Sequence, residues 1–150
     1  MDHARARTRR LRRFAGRLRF PFTRLDKNVS NPARPLLPVQ IDGLDQAIAC
    51  LIDTGALYTR LPGWTADLIG IDLTDAPTQG IAVGGQAMTA RQSHVVLTIA
   101  GVTLPSSVWF CEPWAQAFGL IGQEDVLRAL RLVFSASEQW FELIEESAAR

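Results

Sequence analysis

A mostly β fold, a barrel or sandwich with one helix late in the chain, is predicted by three observations. Short apolar runs alternate with polar residues at period two. Glycine-containing turn signals separate these runs at close intervals. One later stretch, Glu124 to Leu132, switches to helical spacing.

The elements follow in order from Leu36. Leu37, Val39 and Ile41 alternate with Pro38, Gln40 and Asp42, the pattern of a half-buried strand. Asp42-Gly43 is a hairpin turn signal, and the return strand from Gln46 to Ile52 runs directly into Asp53. Tyr58 to Leu61 is a short strand stopped by Pro62-Gly63, and Trp64 to Ile69 fits one helical turn. Ile81-Ala82-Val83, Gly84-Gly85 and Gln86 to Thr89 form a hairpin with a glycine tip. His94 to Ala100 and Val102 to Leu104 pair around Gly101, and Val108 to Cys111 is strand-like. Phe118 to Ile121 is an apolar strand closed by Gly122. Val126, Leu127, Leu130 and Val133 fall on one side of a helix over Glu124 to Leu132, and Trp140 to Ile144 is a last strand.

Charge divides the chain. Residues 1–34 hold eleven Arg or Lys against two Asp, a net of +9, whereas residues 35–150 hold five Arg against thirteen Asp or Glu, a net of −8. The division predicts a flexible basic arm over 1–34 and a folded domain over 35–150. Within the arm, Leu11, Phe14 and Leu18 recur at helical spacing, and Pro21, Pro32, Pro35 and Pro38 then punctuate an extended linker. Three readings of the arm stay open: a disordered tail, a contact with nucleic acid or an anionic membrane surface, or a pro-segment folded over the acidic body.

Several function classes are disfavoured. Two cysteines, Cys50 and Cys111, make no disulfide framework and no zinc cluster, and both sit in strand-like apolar runs as buried thiols. His3 and His94 stand far apart with no His-Glu-x-x-His motif, so no metal is expected. There is no Gly-x-Ser-x-Gly, and no Lys-Ser/Thr follows Gly80 to Gly85, so neither a serine-hydrolase elbow nor a phosphate loop is expected. No cofactor is implied. The lack of an apolar leader and of a long apolar run predicts a soluble cytoplasmic protein.

The residues that carry chemistry centre on Asp53-Thr54-Gly55-Ala56. Alone, Asp-Thr-Gly also reads as an ordinary turn. Here it follows the apolar strand Ala49-Cys50-Leu51-Ile52, and Gly119-Leu120-Ile121-Gly122 comes after a glycine-tipped hairpin. This set, in this order, resembles the retropepsins and the related single-domain bacterial aspartic proteases over residues 36–144. The resemblance implies an acid-protease barrel with one C-terminal helix. It implies that Asp53 is the catalytic aspartate, that Thr54 ties two active-site loops across a dimer axis, and that Gly55 lets substrate backbone approach. Ala56 would line the site beside them. Residues from Gly80 to Ala87 would form a flap, with Ala82, Val83, Gly84 and Gly85 against substrate. Leu120, Ile121 and Gly122 would pack beneath the loop, with Ile121 also at the substrate.

Such a site hydrolyses peptide bonds with a water activated between two carboxylates that share a proton. The chain has a single Asp-Thr-Gly, so the second carboxylate would come from a second copy, as a homodimer acting on a protein or peptide substrate. The alternative is a catalytically silent member of the same fold that serves as a binding or dimerisation module. Many retroviral members place Asp two residues after the loop glycine and Arg just after the later one, an ion pair that braces the dimer. Leu57 and Gln123 stand there instead. Gly122-Gln123-Glu124-Asp125 is also one residue longer than the commoner start of the late helix, and Glu124 or Asp125 is expected as its N-terminal carboxylate. Ala56 offers the carboxylate no hydroxyl, so activity is expected to peak at weakly acidic to neutral pH.

Overall fold

The computed structural model describes residues 13–14, 17–26 and 32–146. In chain order the strands are β1 (Arg13–Phe14), β2 (Arg17–Pro21), β3 (Leu36–Ile41), β4 (Ile48–Ile52) and β5 (Thr59–Pro62). Helix α1 (Gly63–Leu68) comes next, then β6 (Thr78–Val83), β7 (Gln86–Ile99), β8 (Val102–Glu112) and β9 (Gly119–Ile121). A 3-10 turn (Leu127–Ala129) leads into β10 (Leu130–Ser135) and β11 (Trp140–Glu145).

Six strands close on themselves in the order β3-β4-β9-β5-β8-β7, and β6 extends the sheet beyond β7. Closure depends on β3 using both its edges. Leu36 to Val39 pair with β4, while Val39 to Ile41 pair with Leu97 to Ile99 of β7. Closing a sheet this way satisfies backbone groups that would otherwise lie at an open edge. Val39, Ile41, Leu61, Leu97, Ile99, Val108, Phe110 and Ile121 are almost wholly buried in the main core. Each such side chain contributes about 1.5–3 kcal/mol. The predicted mostly β barrel is therefore present, with hairpins at Gly43, Gly84-Gly85 and Gly101, all at positive φ.

β7 changes the face it buries. Val95, Leu97 and Ile99 point to the main core, whereas Met88 and Ala90 lie on the opposite face of the same strand. There they join Trp109 and Cys111 of β8, with Tyr58, Ile81, Val83 and Trp114 packed around them. This second cluster ties the β6–β7 hairpin to the body of the barrel.

Two expectations are corrected. The helix over Glu124 to Leu132 is absent: the segment makes only the 3-10 turn and then enters β10. An i,i+4 ion pair does form, Arg128–Glu124 at 2.7 Å, yet Asp125 has a φ of 62°, which right-handed helix does not allow. Leu130 and Leu132 pair instead along β11, and that long-range ladder overrides the local periodicity. Nor does Asp125 cap a helix, because its Oδ2 accepts the Ser107 N–H at 2.8 Å. α1 is the α-helix among the described residues.

The second correction concerns the basic segment. Leu18 lies in a strand, not a helix, and Leu11 falls outside the described residues. β2 pairs antiparallel with β11, so that Leu18 faces Leu143 and Phe20 faces Phe141. All four are buried in the main core, and the Phe20 and Phe141 rings stack with centroids 5.1 Å apart. The order β1-β2-β11-β10 makes a second, four-stranded sheet. Residues 17–21 therefore belong to the fold, although they lie within the segment assigned to a flexible arm.

Cys50 and Cys111 are free and buried. Burial pushes the Cys50 thiol up to about 12, against a smaller lowering by a backbone hydrogen bond from Gly119, and pushes the Cys111 thiol up to about 11. A raised acid favours the fold while protonated. This stability is fully present below an unfolded thiol's pKa of about 8.5 and is lost as the pH climbs toward the folded values. Native protein at pH 8 is expected to resist iodoacetamide and to take two labels in urea, read by intact mass. Prompt native labelling would contradict the packing.

Candidate active site

The site begins with a parallel strand pair. β4 and β9 run side by side with Cys50 opposite Gly119, Leu51 opposite Leu120 and Ile52 opposite Ile121. Parallel strands end at the same edge, so the residues that follow them, Asp53 and Gly122, emerge together. The Asp53 N–H continues the ladder by donating to the Ile121 carbonyl at 3.0 Å.

Beyond that point the two loops remain joined. The Gln123 N–H donates to Ala56 O at 3.0 Å, and the Glu124 N–H donates to Leu57 O at 2.8 Å. The Gln123 side chain crosses in the same direction, its Nε2 donating to Thr54 O at 2.7 Å. From beneath, the Gly122 N–H donates to Oγ1 of Thr59 at 3.1 Å, and Thr59 is fully buried. Contact this close requires glycine. A Cβ at Gly122 would stand 2.5 Å from the Tyr58 carbonyl oxygen, and one at Gly119 would stand 2.9 Å from Cys50 Sγ.

Within the first loop, Asp53 Oδ1 accepts the Gly55 N–H at 3.0 Å, and Asp53 O accepts the Ala56 N–H at 3.2 Å. Asp53 is half-buried, while Thr54 and Gly55 are exposed. The loop thus presents an acceptor carboxylate, a hydroxyl and a bare backbone at one surface, which suits general acid–base chemistry on a bound chain.

The structure joins the Asp53 loop to the segment after β9, and one apolar cluster runs from the hairpin to the strand before Asp53. Val83, at the end of β6, packs on a third apolar cluster of Leu36, Phe118 and Leu120, and Leu51 and Trp114 join it there. Leu51 lies two residues before Asp53, so one apolar cluster links the hairpin to the strand that bears the carboxylate. Ala82, Gly84 and Gly85 are exposed at the hairpin tip, and Ala56 is half-buried. Ile121 is the exception. Its side chain is fully buried in the main core, so it serves the loop through its backbone carbonyl and has no surface to offer a substrate. Two contributors were not legible: Thr59, whose pattern is that of any β-branched strand residue, and the Gln123 side chain.

Other features lie elsewhere. Concavities of about 510, 350 and 480 Å³ are lined by residues around His94, Asp72 and Trp64, and none of the three includes Asp53 to Ala56. Ser107 Oγ lies 3.0 Å from His94 Nδ1, but Asp125 engages the Ser107 backbone and not the imidazole, so no Ser-His-Asp relay forms. Among the described residues no group of three or more His, Cys, Asp or Glu is placed to hold a metal ion.

Thr59 offers a direct test of the joined loops. Replacement by Val keeps the shape and removes the oxygen that receives the buried Gly122 N–H. A loss of about 1–3 kcal/mol in urea unfolding is expected. A change near zero would mean that the contact holds nothing in place.

Comparisons agree with this geometry. The sequence pattern described as "Aspartyl protease" matches residues 37–124, more than half of the chain. The structure is similar to that of a retropepsin-like aspartic protease from Rickettsia conorii, at 15% identity and a TM-score of 0.61, covering 83% of this chain and 98% of that one. It is also similar to the retroviral protease-like domain of Ddi1 from Leishmania major, at 19% identity and a TM-score of 0.52, covering 71% and 84% respectively. At such identities the two likenesses show the fold alone. No curated protein sequence matches the chain. With the fold retropepsin-like and the matched segment spanning both loops, the chain belongs to the aspartyl protease family.

Proposed function

We propose that this protein is an aspartic endopeptidase whose active site is completed by a second copy of the chain. The observation that carries the reading is the placement of Asp53. Its carboxyl is held by the Gly55 N–H at 3.0 Å, on a loop joined to β9 and to the segment after it, and the residue is only half-buried. One chain supplies one such loop. Two copies related by a two-fold axis would set two Asp53 carboxylates face to face, where they cannot easily both ionise. The charged partner then takes a proton from a water, and the neutral partner donates one to the scissile carbonyl.

The surface next to this loop suits a second copy. Leu57 is 45% exposed, four residues after Asp53, so an apolar side chain stands beside the loop that must meet its mate. Thr54 is exposed beside Asp53, and in such a pair its hydroxyl would reach across the axis. Gly55 leaves room for substrate backbone, and the β6–β7 hairpin would close over it as a flap. Val83 and the exposed Ala82, Gly84 and Gly85 would then face the peptide.

Asp53→Asn is expected to lower cleavage of a mixed peptide library by at least about a hundredfold with folding intact. Equal cleavage by both proteins would leave a silent binding module as the better reading. Mixing wild type with an equal amount of Asp53→Asn and allowing exchange should halve activity per wild-type chain, because only pairs of two wild-type chains keep both carboxylates. A monomeric mass by sedimentation at activity-assay concentrations would rule out the shared site. The pH–rate profile is expected to peak between weakly acidic and neutral pH, and a maximum well below pH 4 would contradict the role given to Ala56.

A further inference from the structure

The peptide that joins Thr54 to Gly55 is engaged at both ends. Its carbonyl oxygen accepts Gln123 Nε2 at 2.7 Å, and its N–H donates to Asp53 Oδ1 at 3.0 Å. The two groups belong to one planar amide, in which resonance couples oxygen to nitrogen. A donor on the oxygen draws density away from nitrogen, and the N–H becomes a stronger donor in turn. The chain of contacts therefore runs from the Gln123 amide, through a peptide, to the carboxylate.

We propose that Gln123 is a positioning residue for the Asp53 carboxylate, acting through the Thr54–Gly55 peptide. The proposal rests on the reading of Asp53 as the catalytic acid. Three features favour it over incidental contact. The Gln123 arm starts from a fixed base, because its own N–H donates to Ala56 O at 3.0 Å and that of Glu124 to Leu57 O at 2.8 Å. The orientation of the amide is decided by chemistry, because a carbonyl oxygen can only accept, so the NH₂ end must face Thr54.

The third feature is the glycine itself. A Cβ on Gly55 would lie 3.4 Å from Asp53 Oδ1, an ordinary contact, so this glycine matters for backbone freedom and not for space. Glycine admits backbone angles that other residues avoid, so the peptide before it can rotate about its flanking bonds at little cost. Rotation would carry the N–H away from Asp53. Gln123 grips the carbonyl on the other side of that same peptide and opposes the rotation. Gly55 creates the freedom, and Gln123 removes it.

The test uses the full-length protein with Gln123→Leu, which keeps bulk and loses the donor, and Gln123→Glu, which cannot donate while ionised. Gly55 amide hydrogen exchange and proton chemical shift are measured by NMR, beside kcat, KM and the unfolding midpoint, with every protein compared at the same series of pH values. In Gln123→Leu the Gly55 amide should exchange about tenfold faster, as expected for a weakened hydrogen bond, and its proton should move upfield. The kcat should fall about tenfold while KM stays within about twofold, because alignment of the carboxylate is lost and not substrate contact. Relative to wild type at each pH, Gln123→Glu should match Gln123→Leu near neutrality and recover as the pH falls below about 4.3, where its carboxyl regains a proton to donate.

An unchanged Gly55 amide in Gln123→Leu overturns the proposal, whatever happens to activity. A lower unfolding midpoint with no change at Gly55 reduces Gln123 to a structural contact and overturns it as well. The NMR readout does not need turnover. Wild-type protein that cleaves nothing would therefore defeat the endopeptidase reading and leave the coupling through the peptide separately decided.

Discussion

The parallel pairing of β4 with β9 is the constraint from which the rest of the structure follows. Antiparallel strands can be joined by a tight turn, but parallel neighbours need a long crossover. Here the crossover runs from Asp53 to Phe118 and contains β5, α1 and the β6–β7–β8 meander. The same connection that lets β9 return beside β4 thus delivers the hairpin, the Met88–Trp109 cluster and Thr59. A fold that paired β4 with an antiparallel neighbour in place of β9 would leave Asp53 on an isolated turn, without the Ile121 carbonyl to hold it.

Close pairing has a cost in backbone entropy. Gly119 and Gly122 sit where any side chain would collide with Cys50 or with the Tyr58 carbonyl, and Gly55 keeps the loop bare before Asp53. Each glycine loses more freedom on folding than another residue would. The compensation is visible as hydrogen bonds between the two loops, four of them from the backbone or side chain of residues 53, 123 and 124. The Thr59 hydroxyl adds a fifth contact from below. The loop is held by hydrogen bonds from several sides, not by stiff residues of its own.

What the sequence made legible follows the range of the interaction behind each signal. Turns at Gly43, Gly84-Gly85 and Gly101 depend on local backbone angles, so their residues announce them. Asp53-Thr54-Gly55 was readable because an apolar strand and a later apolar-glycine segment bracket it in a set order. The segment from Glu124 to Leu132 misled because Val126, Leu127, Leu130 and Val133 fit a helix, while Leu130 and Leu132 also fit a strand. Only β11, which arrives later in the chain, decides between them. The same holds for Leu18 and Phe20, whose partners Leu143 and Phe141 lie more than a hundred residues away. The place of Ile121 in a motif points to the substrate, yet a strand residue serves through its backbone or its side chain according to which face is covered. That choice is invisible without the sheet.

Leu57 and Gln123 occupy positions at which retroviral members carry an acid and a base, and the structure gives that double change a physical sense. A charged pair must be desolvated when a second chain covers it, and it weakens with salt. Gln123 bonds a neutral carbonyl within its own chain, so the brace on the Thr54 loop exists before any partner arrives and needs no counter-charge. Leu57 is released from the pairing role and leaves an apolar side chain 45% exposed. If two copies pair as proposed, the two functions that one ion pair would combine, holding the loop and meeting the partner, fall to different residues. On the proposed two-fold arrangement, association draws on burial of apolar surface, which high salt strengthens, while the geometry around Asp53 is already set in the single chain.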